Sequence, residues 1–216
     1  MNILSKIAMA YVRWSELEVD PAGLDRFTRL AEENVRETRS TEPGVLAFYW
    51  ASERVHPNRI RVFEVYADEN AYQEHLQSPH FQKFRAGSGP LVTSHQFFEA
   101  VPVMLGTKPQ LPPTGAVVRI AELEIRPTQL DAYKAIVSEE IDASIRVEPG
   151  VFAIHAFALK NRPNHLRLYE IYADERAYLL HRESPHFKRY LEASQDMIIA
   201  RRLIETAPPV LPLTLN

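Results

Sequence analysis

Residues Tyr66–Phe84 read YADENAYQEHLQSPHFQKF, and residues Tyr172–Tyr190 read YADERAYLLHRESPHFKRY. The second stretch follows the first at an offset of 106 residues (172 − 66 = 106), and the same offset relates EPGV at Glu42 to EPGV at Glu148. The two halves align without a gap and agree at roughly a third of their positions, far above chance. Since a repeat of this length holds enough residues for its own core, we predict a tandem duplication of a small domain.

Each copy predicts the element order β-α-β-β-α-β. The runs AMAYVRWSELEV and AVVRIAELEI alternate apolar and polar residues as strands do, and a proline then begins a helix with apolar residues at helical spacing. EPG ends that helix, and two strand-like runs follow as a hairpin. Asp68 or Asp174 caps a second helix that Ser-Pro interrupts, and a last strand closes the copy. This order is the ferredoxin-like α+β fold, with both helices on one face of an antiparallel sheet.

The bare sheet face of each copy leads to a prediction for the whole chain. Two tandem repeats can bury these faces against each other, as a pseudo-dimeric α/β barrel. We predict a first repeat at 1–103, a linker rich in proline and glycine at 104–115, and a second repeat at 116–216. The tail APPVLPLTLN reads as an extended arm. Whether such pseudo-dimers pair again into a homodimer is left open.

Composition limits the classes of function. The chain has 216 residues, 45% hydrophobic and 25% charged, as ordinary globular domains do. A net charge of −3 without a basic run argues against a nucleic-acid partner, and the lack of cysteine excludes disulfides and thiolate chemistry. No apolar run approaches the roughly 18 residues of a membrane span, and the N-terminus lacks signal-peptide features. We therefore expect a cytoplasmic protein with no membrane partner.

The third strand of each copy carries a candidate base. A period of two residues places Glu64 and Tyr66 on one face, as it does Glu170 and Tyr172 in the second copy. If that face looks toward the helices, burial raises the pKa of the carboxyl group, which suits a base. The alternative is a structural ion pair with a neighbouring arginine such as Arg61 or Arg13.

Histidines in the second helix are further candidates. The imidazoles of His75 and His181 suit proton abstraction near neutral pH. His80 and His186 follow Ser-Pro, and for them capping of the restarted helix is the alternative. The two histidines of a copy are five residues apart across a proline, unlike the i, i+4 spacing of metal ligands on one helix, so we predict no metal site.

EPG, the Glu-x-Tyr of the third strand and the histidine before SPHF together resemble the antibiotic biosynthesis monooxygenase domain family. Within it, the chain looks most similar to the small quinol monooxygenase and autoinducer-degrading isomerase type. The resemblance implies a pocket between helices and sheet and, in many members, oxygen chemistry without metal or flavin, so we expect no cofactor. The haem-degrading branch carries a ligand histidine seven residues after the serine of this motif, where this chain has Arg85 and Leu191. The departure argues against haem.

The two copies differ at positions that bear on a pocket. The first has Asn34, Tyr49 and Trp50 where the second has Glu140, His155 and Ala156. The resemblance implies that Asn, Tyr and Trp hold an anionic aromatic substrate, and the alternative is that the aromatic residues are core. The candidate catalytic residues are therefore Glu64, Tyr66, His75, Glu170, Tyr172 and His181, and the candidate substrate-binding residues are Asn34, Tyr49, Trp50, Tyr72, His80, Tyr178 and His186.

Three functions remain open at this stage. The first is a cofactor-independent monooxygenase that oxidises a quinol, a phenol or a similar small aromatic substrate. The second is an isomerase or degrading enzyme that uses the same base on a small hydroxy-carbonyl compound. The third is a non-catalytic ligand-binding or stress protein.

Overall fold

The computed structural model describes residues 10–207, which divide into two compact units between Glu99 and Ala100. Most of the predicted C-terminal arm and of the N-terminal stretch considered as a signal peptide lie outside the described residues. Within residues 10–207, no helix combines the length and apolar character that a membrane span requires.

The first unit follows the predicted order of elements. Its elements are β1 (Tyr11–Val19), α1 (Leu24–Thr41), β2 (Val45–Ser52), β3 (Arg59–Tyr66), α2 (Glu69–Gln77), α3 (Pro79–Ser88) and the start of β4 (Val92–Thr107), with short 3₁₀ turns at Pro21–Gly23 and Gly89–Leu91. The strand order is β2-β3-β1-β4, and β3 pairs antiparallel with both β1 and β2. Arg13 lies opposite Glu64 in the β1–β3 register.

The second unit repeats the pattern. It contains the end of β4, then β5 (Val117–Ile125), α4 (Leu130–Val147), β6 (Val151–Leu159), β7 (Arg162–Tyr172), α5 (Glu175–Glu183), α6 (Pro185–Ser194) and β8 (Ile198–Glu205), with a 3₁₀ turn at Pro127–Gln129. Its strand order is β4-β6-β7-β5-β8, and each of these neighbouring strands pairs antiparallel with the next. The predicted α+β class with two ferredoxin-like repeats is confirmed, while the packing of the two repeats as a barrel stays a prediction.

The Ser-Pro step breaks the second helix as predicted. Ser78 is extended, with φ −63° and ψ 143°, and lies between α2 and α3. Its Oγ accepts a hydrogen bond from the Phe81 amide at 3.4 Å and donates one to the His75 carbonyl at 2.8 Å. Pro79 occupies the first helical position, where a missing N–H costs nothing. The predicted Asp68 cap of α2 is also present.

The structure corrects one predicted boundary. Residues 104–107 belong to β4 and pair with β6, with Met104 opposite Ala156 and Thr107 opposite Ala153. Leu105 is buried in this pairing. The segment without helix or strand therefore starts at residue 108. The strand continues to residue 107 because burying its apolar side chains lowers the free energy more than leaving them exposed in a linker would.

Candidate active site

A cavity of about 590 Å³ lies in the first unit, between the helices and the sheet. Five predicted site residues line it: Asn34, Trp50, Glu64, Tyr72 and His75. The remaining wall is largely apolar and includes Leu17, Phe27, Ala31, Val35, Phe48, Ile60, Val62, Phe81 and Phe84. Its size and its few polar groups suit a small aromatic molecule.

Three other predicted site residues do not line this cavity: Tyr49, Tyr66 and His80. Side chains alternate along β2, so Trp50 faces the cavity while Tyr49 faces away and stacks on Phe63 with ring centroids 6.0 Å apart. Tyr49 is therefore a core residue, the alternative that the sequence left open. Tyr66 reaches the site only through its hydrogen bond to Glu64, which lines the cavity. His80 contacts a carboxylate that lies outside the lining.

That carboxylate is Glu42, the first residue of the EPG turn. Nδ1 of His75 lies 3.0 Å from both carboxylate oxygens of Glu42, and Nε2 of His80 lies 2.5 Å from Oε1. Burial opposes ionisation of Glu42, but the hydrogen bonds and charges of His75 and His80 outweigh it and lower the pKa of Glu42. An ionised carboxylate only accepts hydrogen bonds, so both histidines donate to it.

This arrangement fixes which nitrogen of His75 carries the hydrogen. With its hydrogen on Nδ1, the neutral ring presents a lone pair at Nε2. Nε2 is buried and has no hydrogen-bond partner among residues 10–207, and His75 lines the cavity. The Oδ1 atom of Asn34, another lining residue, is likewise buried without a partner in the described part of the chain. The site thus offers a base and an amide to a bound molecule.

Glu64 supplies a second titratable group on the cavity wall. Burial raises its pKa, while His75, the hydrogen bond from Tyr66 and the charge of Arg13 act in the opposite direction. The Tyr66 hydroxyl donates to Oε1 of Glu64 at 2.9 Å. Over residues 10–207, no salt bridge joins Glu64 to Arg13, and Arg61 pairs with Glu53 at 2.8 Å, so neither ion pair considered above is formed.

The second unit retains the same carboxylate–histidine cluster, but here the second ring nitrogen of the buried histidine also lies near a carboxylate. Glu148 accepts hydrogen bonds from Nδ1 of His181 at 2.9 Å and from Nε2 of His186 at 2.6 Å. Nε2 of His181, however, lies 3.7 Å from Oε1 of Glu140, the counterpart of Asn34. Burial lowers the pKa of His181, but the hydrogen bond to Glu148 and three nearby carboxylates raise it overall. A histidine that holds its proton in this way is a poor base.

The other predicted residues of the second unit keep their counterparts' contacts. The Tyr172 hydroxyl donates to Oε2 of Glu170 at 2.9 Å, and burial raises the pKa of Glu170. The ring of Tyr178 lies 4.7 Å from the guanidinium carbon of Arg119. These contacts match the positions predicted from the repeat, but they lie beside a packed interior.

The positions that line the cavity of the first unit are core in the second. Ala31 and Val35 correspond to Val137 and Ile141, both fully buried in one hydrophobic cluster. Other members of that cluster at lining positions are Ala121, Leu123, Tyr133, Ile154, Ala156, Leu166, Leu168 and Tyr190. The hydroxyls of Tyr133 and Tyr190 form a 2.8 Å hydrogen bond where the first unit has two phenylalanines.

Two clusters bring together atoms that could ligate a metal ion. They are Glu42 with His75 and His80, and Glu140 with His181 and His186, with donor atoms within 4.8 Å of one another. The spacing argument against such a cluster was wrong, because the Ser-Pro break turns both histidines toward one carboxylate. The prediction of no bound metal now rests on another point: Nδ1 of His75 and Nε2 of His80 are already engaged by Glu42.

Glu42 and Glu148 join the candidate site through their histidine contacts, although the sequence analysis assigned them only to a turn. The one signal available for them was the recurrence of EPG at the offset of 106 residues. Arg13, considered only as a partner of Glu64, also lines the cavity.

Comparison with known proteins bears on the family and the fold of the chain. The family model for antibiotic biosynthesis monooxygenase matches residues 11–87 and 116–193. Among solved structures, the putative monooxygenase of Lactobacillus acidophilus NCFM has a TM-score of 0.90 at 22% identity, covering 96% of this chain and 97% of that one. A putative monooxygenase of Fusobacterium nucleatum has a TM-score of 0.89 at 19% identity, and the match covers 96% of this chain and 95% of that one. No curated protein shows a significant match.

At these identities the two structures show a shared fold along almost the whole chain, and the family assignment rests on the sequence model. That model covers both repeats and more than half of the residues. The chain therefore belongs to the antibiotic biosynthesis monooxygenase family, as a tandem duplication of its domain.

Proposed function

We propose that the chain is a cofactor-independent monooxygenase that oxidises a quinol or a related phenol in the cavity of the first repeat. One observation carries the proposal: Glu42 holds His75 at Nδ1, and the opposite nitrogen of this cavity-lining ring is buried without a hydrogen-bond partner in the described chain. A carboxylate that orients an imidazole in this way prepares the imidazole to take a proton from a bound hydroxyl.

The chemistry requires only the substrate and oxygen. Nε2 of His75 accepts the proton of a ring hydroxyl, and the resulting phenolate is electron-rich enough to reduce oxygen. One quinol and one O₂ then give one hydroxyquinone and one water, since the ring supplies all the electrons. Asn34, buried in the lining, can stabilise the phenolate oxygen through a hydrogen bond donated by its NH₂ group, while its unpartnered Oδ1 can accept one from a second ring hydroxyl.

Glu64 serves this reaction in its protonated form. Its raised pKa favours the neutral acid, which avoids placing a negative charge beside the phenolate. The apolar wall keeps water away from the reactive intermediate and strengthens each polar contact inside. These features support a monooxygenase of the quinol type over a simple binding protein, which has no need of an oriented base.

The test is oxygen consumption with a panel of quinols and phenols, using matched variants of the two repeats. We expect His75→Ala to lower kcat by about 10²- to 10⁴-fold, the usual contribution of a positioned base. His181→Ala, the matched control, should leave kcat within about twofold once corrected for folded fraction, since a carboxylate oxygen of Glu140 already lies 3.7 Å from Nε2 of His181. Glu64→Gln keeps a neutral side chain beside the phenolate, so it should lower kcat far less than His75→Ala does, and Glu170→Gln is its matched control.

The panel also separates the alternatives. Exchange of solvent deuterium into a hydroxy-carbonyl compound, without oxygen uptake, would identify an isomerase. Ligand binding with neither reaction would identify a binding protein. Equal rate losses in His75→Ala and His181→Ala would show two working sites and overturn the assignment to the first repeat.

A further inference from the structure

Arg13 brings an uncompensated positive charge to the cavity wall. Its side chain lines the cavity, and its Nε is buried without a hydrogen-bond partner in the described chain. The only hydrogen bond recorded for it within residues 10–207 runs from Nη1 to the Tyr11 hydroxyl, at 3.5 Å. The two terminal nitrogens of this guanidinium carry four N–H groups, and the single long hydrogen bond from Nη1 leaves donors there for a ligand.

The second repeat shows what the same residue does when it has a structural role. Arg119, the counterpart of Arg13, forms a salt bridge through Nη2 with Glu175 on α5. The first repeat has Glu69 at the position of Glu175, yet no salt bridge joins Arg13 to any carboxylate across residues 10–207. The sequence keeps the acid in both repeats, and only the second uses it.

Two aromatic rings hold the Arg13 guanidinium in place. Its central carbon lies 4.7 Å from the ring centroid of Tyr72 and 4.8 Å from that of Phe97. Phe97 and His95 are exposed, which puts Arg13 at the open end of the cavity. Burial and the charge of Arg13 both lower the pKa of His95, so the guanidinium repels a second positive charge nearby.

We propose that the ligand of the first repeat is an aromatic carboxylate, bound through its carboxylate by the side chain of Arg13. A planar guanidinium matches a carboxylate with two parallel hydrogen bonds, and the cavity volume admits one substituted ring between Arg13 and His75. This step deepens the proposed function: the ring hydroxyl meets His75 and Asn34, while the carboxylate at the opening sets the orientation. The substrate class is thus a hydroxylated aromatic acid.

The test is binding under nitrogen, where no oxidation occurs. Calorimetry would compare 2,5-dihydroxybenzoate with 2,5-dihydroxybenzamide and hydroquinone, on the wild type and on Arg13→Gln. We expect the wild type to prefer the acid by about ten- to a hundredfold, the usual value of a hydrogen bond to a charged group. Arg13→Gln should lose this preference, and Arg13→Lys should retain part of it because its charge remains.

Two further variants make the result specific. Arg119→Gln removes the matched arginine of the second repeat and should keep the full preference for the acid, whatever it does to the melting temperature. Arg85→Gln removes an exposed arginine that also lines the cavity. If only Arg85→Gln abolishes the preference, the assignment to Arg13 is wrong.

Binding and oxidation can fail separately. Equal affinities of the wild type for the acid, the amide and hydroquinone would overturn the carboxylate proposal and leave the monooxygenase proposal standing. Tight, Arg13-dependent binding of the acid without oxygen uptake in air would support the carboxylate proposal and overturn the monooxygenase proposal. Arg13→Gln with the affinities of the wild type would also refute the role of Arg13, provided that its melting curve shows a folded protein.

Discussion

Replacing Glu42 by glutamine tests how the site orients its base. The amide of glutamine keeps one acceptor oxygen but replaces the other oxygen with an NH₂ group, which only donates. His75 and His80 both donate to Glu42 in the wild type. Nδ1 of His75 lies 3.0 Å from both carboxylate oxygens, so in the variant it faces the NH₂ group whichever way the amide is turned, whereas His80 contacts only Oε1. For His75 this favours the tautomer with its hydrogen on Nε2, so the lone pair turns away from the cavity.

The expected size of the effect follows from these contacts. A base held in the wrong tautomer loses most of its contribution, so we expect kcat to fall by about 10²- to 10⁴-fold. Glu42 is only 13% exposed, and a hydrogen bond to a buried charged group is worth about 1.5–3 kcal/mol. For a chain of this size, each kcal/mol lowers the Tm by about 2–4 °C, so the Tm should fall by roughly 3–12 °C.

Glu148→Gln is the matched control, because Glu148 holds His181 and His186 as Glu42 holds His75 and His80. Its Tm should fall by a similar amount, while its kcat per folded molecule should stay within about twofold of the wild type. The measurements are oxygen uptake with the best quinol of the panel and thermal unfolding by circular dichroism. Equal losses of kcat in both variants, or an unchanged kcat in Glu42→Gln, would refute the proposed orientation of His75.

Three further predictions concern the cavity, the titration of Glu64 and the cofactor content. Ala31→Val introduces the residue of the second repeat and should raise the KM about tenfold or more by filling the cavity, whereas Val137→Ala should lower only the Tm. The pKa of Glu64 is raised in the fold, so the wild type loses stability as the pH rises through this raised pKa. Glutamine does not ionise, so Glu64→Gln should raise the Tm relative to the wild type at pH 8 and not at pH 4. Thermal melts at the two pH values will test this. Purified protein should contain no haem, flavin or stoichiometric metal, and a visible absorbance band or a metal found by elemental analysis would contradict this.

The fold was predictable because its signals are local. Alternating strands, Asp68 at a helix start and Ser78 before Pro79 each determine structure within a few residues, and the repeat confirms each one a second time. The end of the first repeat was misplaced for a related reason. Proline and glycine near residue 110 indicate a linker, but only pairing with β6 shows that Met104–Thr107 form a strand.

The site was harder to predict because it depends on contacts between distant residues. Glu42 and His75 are 33 positions apart, and nothing in their spacing shows that they meet. The proline between the two histidines seemed to separate them, whereas it directs both to Glu42. Tyr49 and Trp50 were grouped as neighbours in sequence, although adjacent residues of a strand face opposite ways. The difference between Asn34 and Glu140 was visible, but its meaning required the position of His181.

Strand β4 means that the unit of duplication is not the unit that can be cut out. Its 16 residues continue past the end of the first repeat, and the last of them form the outer strand beside β6 in the second unit. A fragment that starts at Ala116 would contain the whole second copy of the sequence but would leave β6 as a bare edge. Exposed edges of this kind pair with other chains and promote aggregation. An excised second repeat should therefore begin before Ala100, so that it includes the part of β4 that pairs with β6.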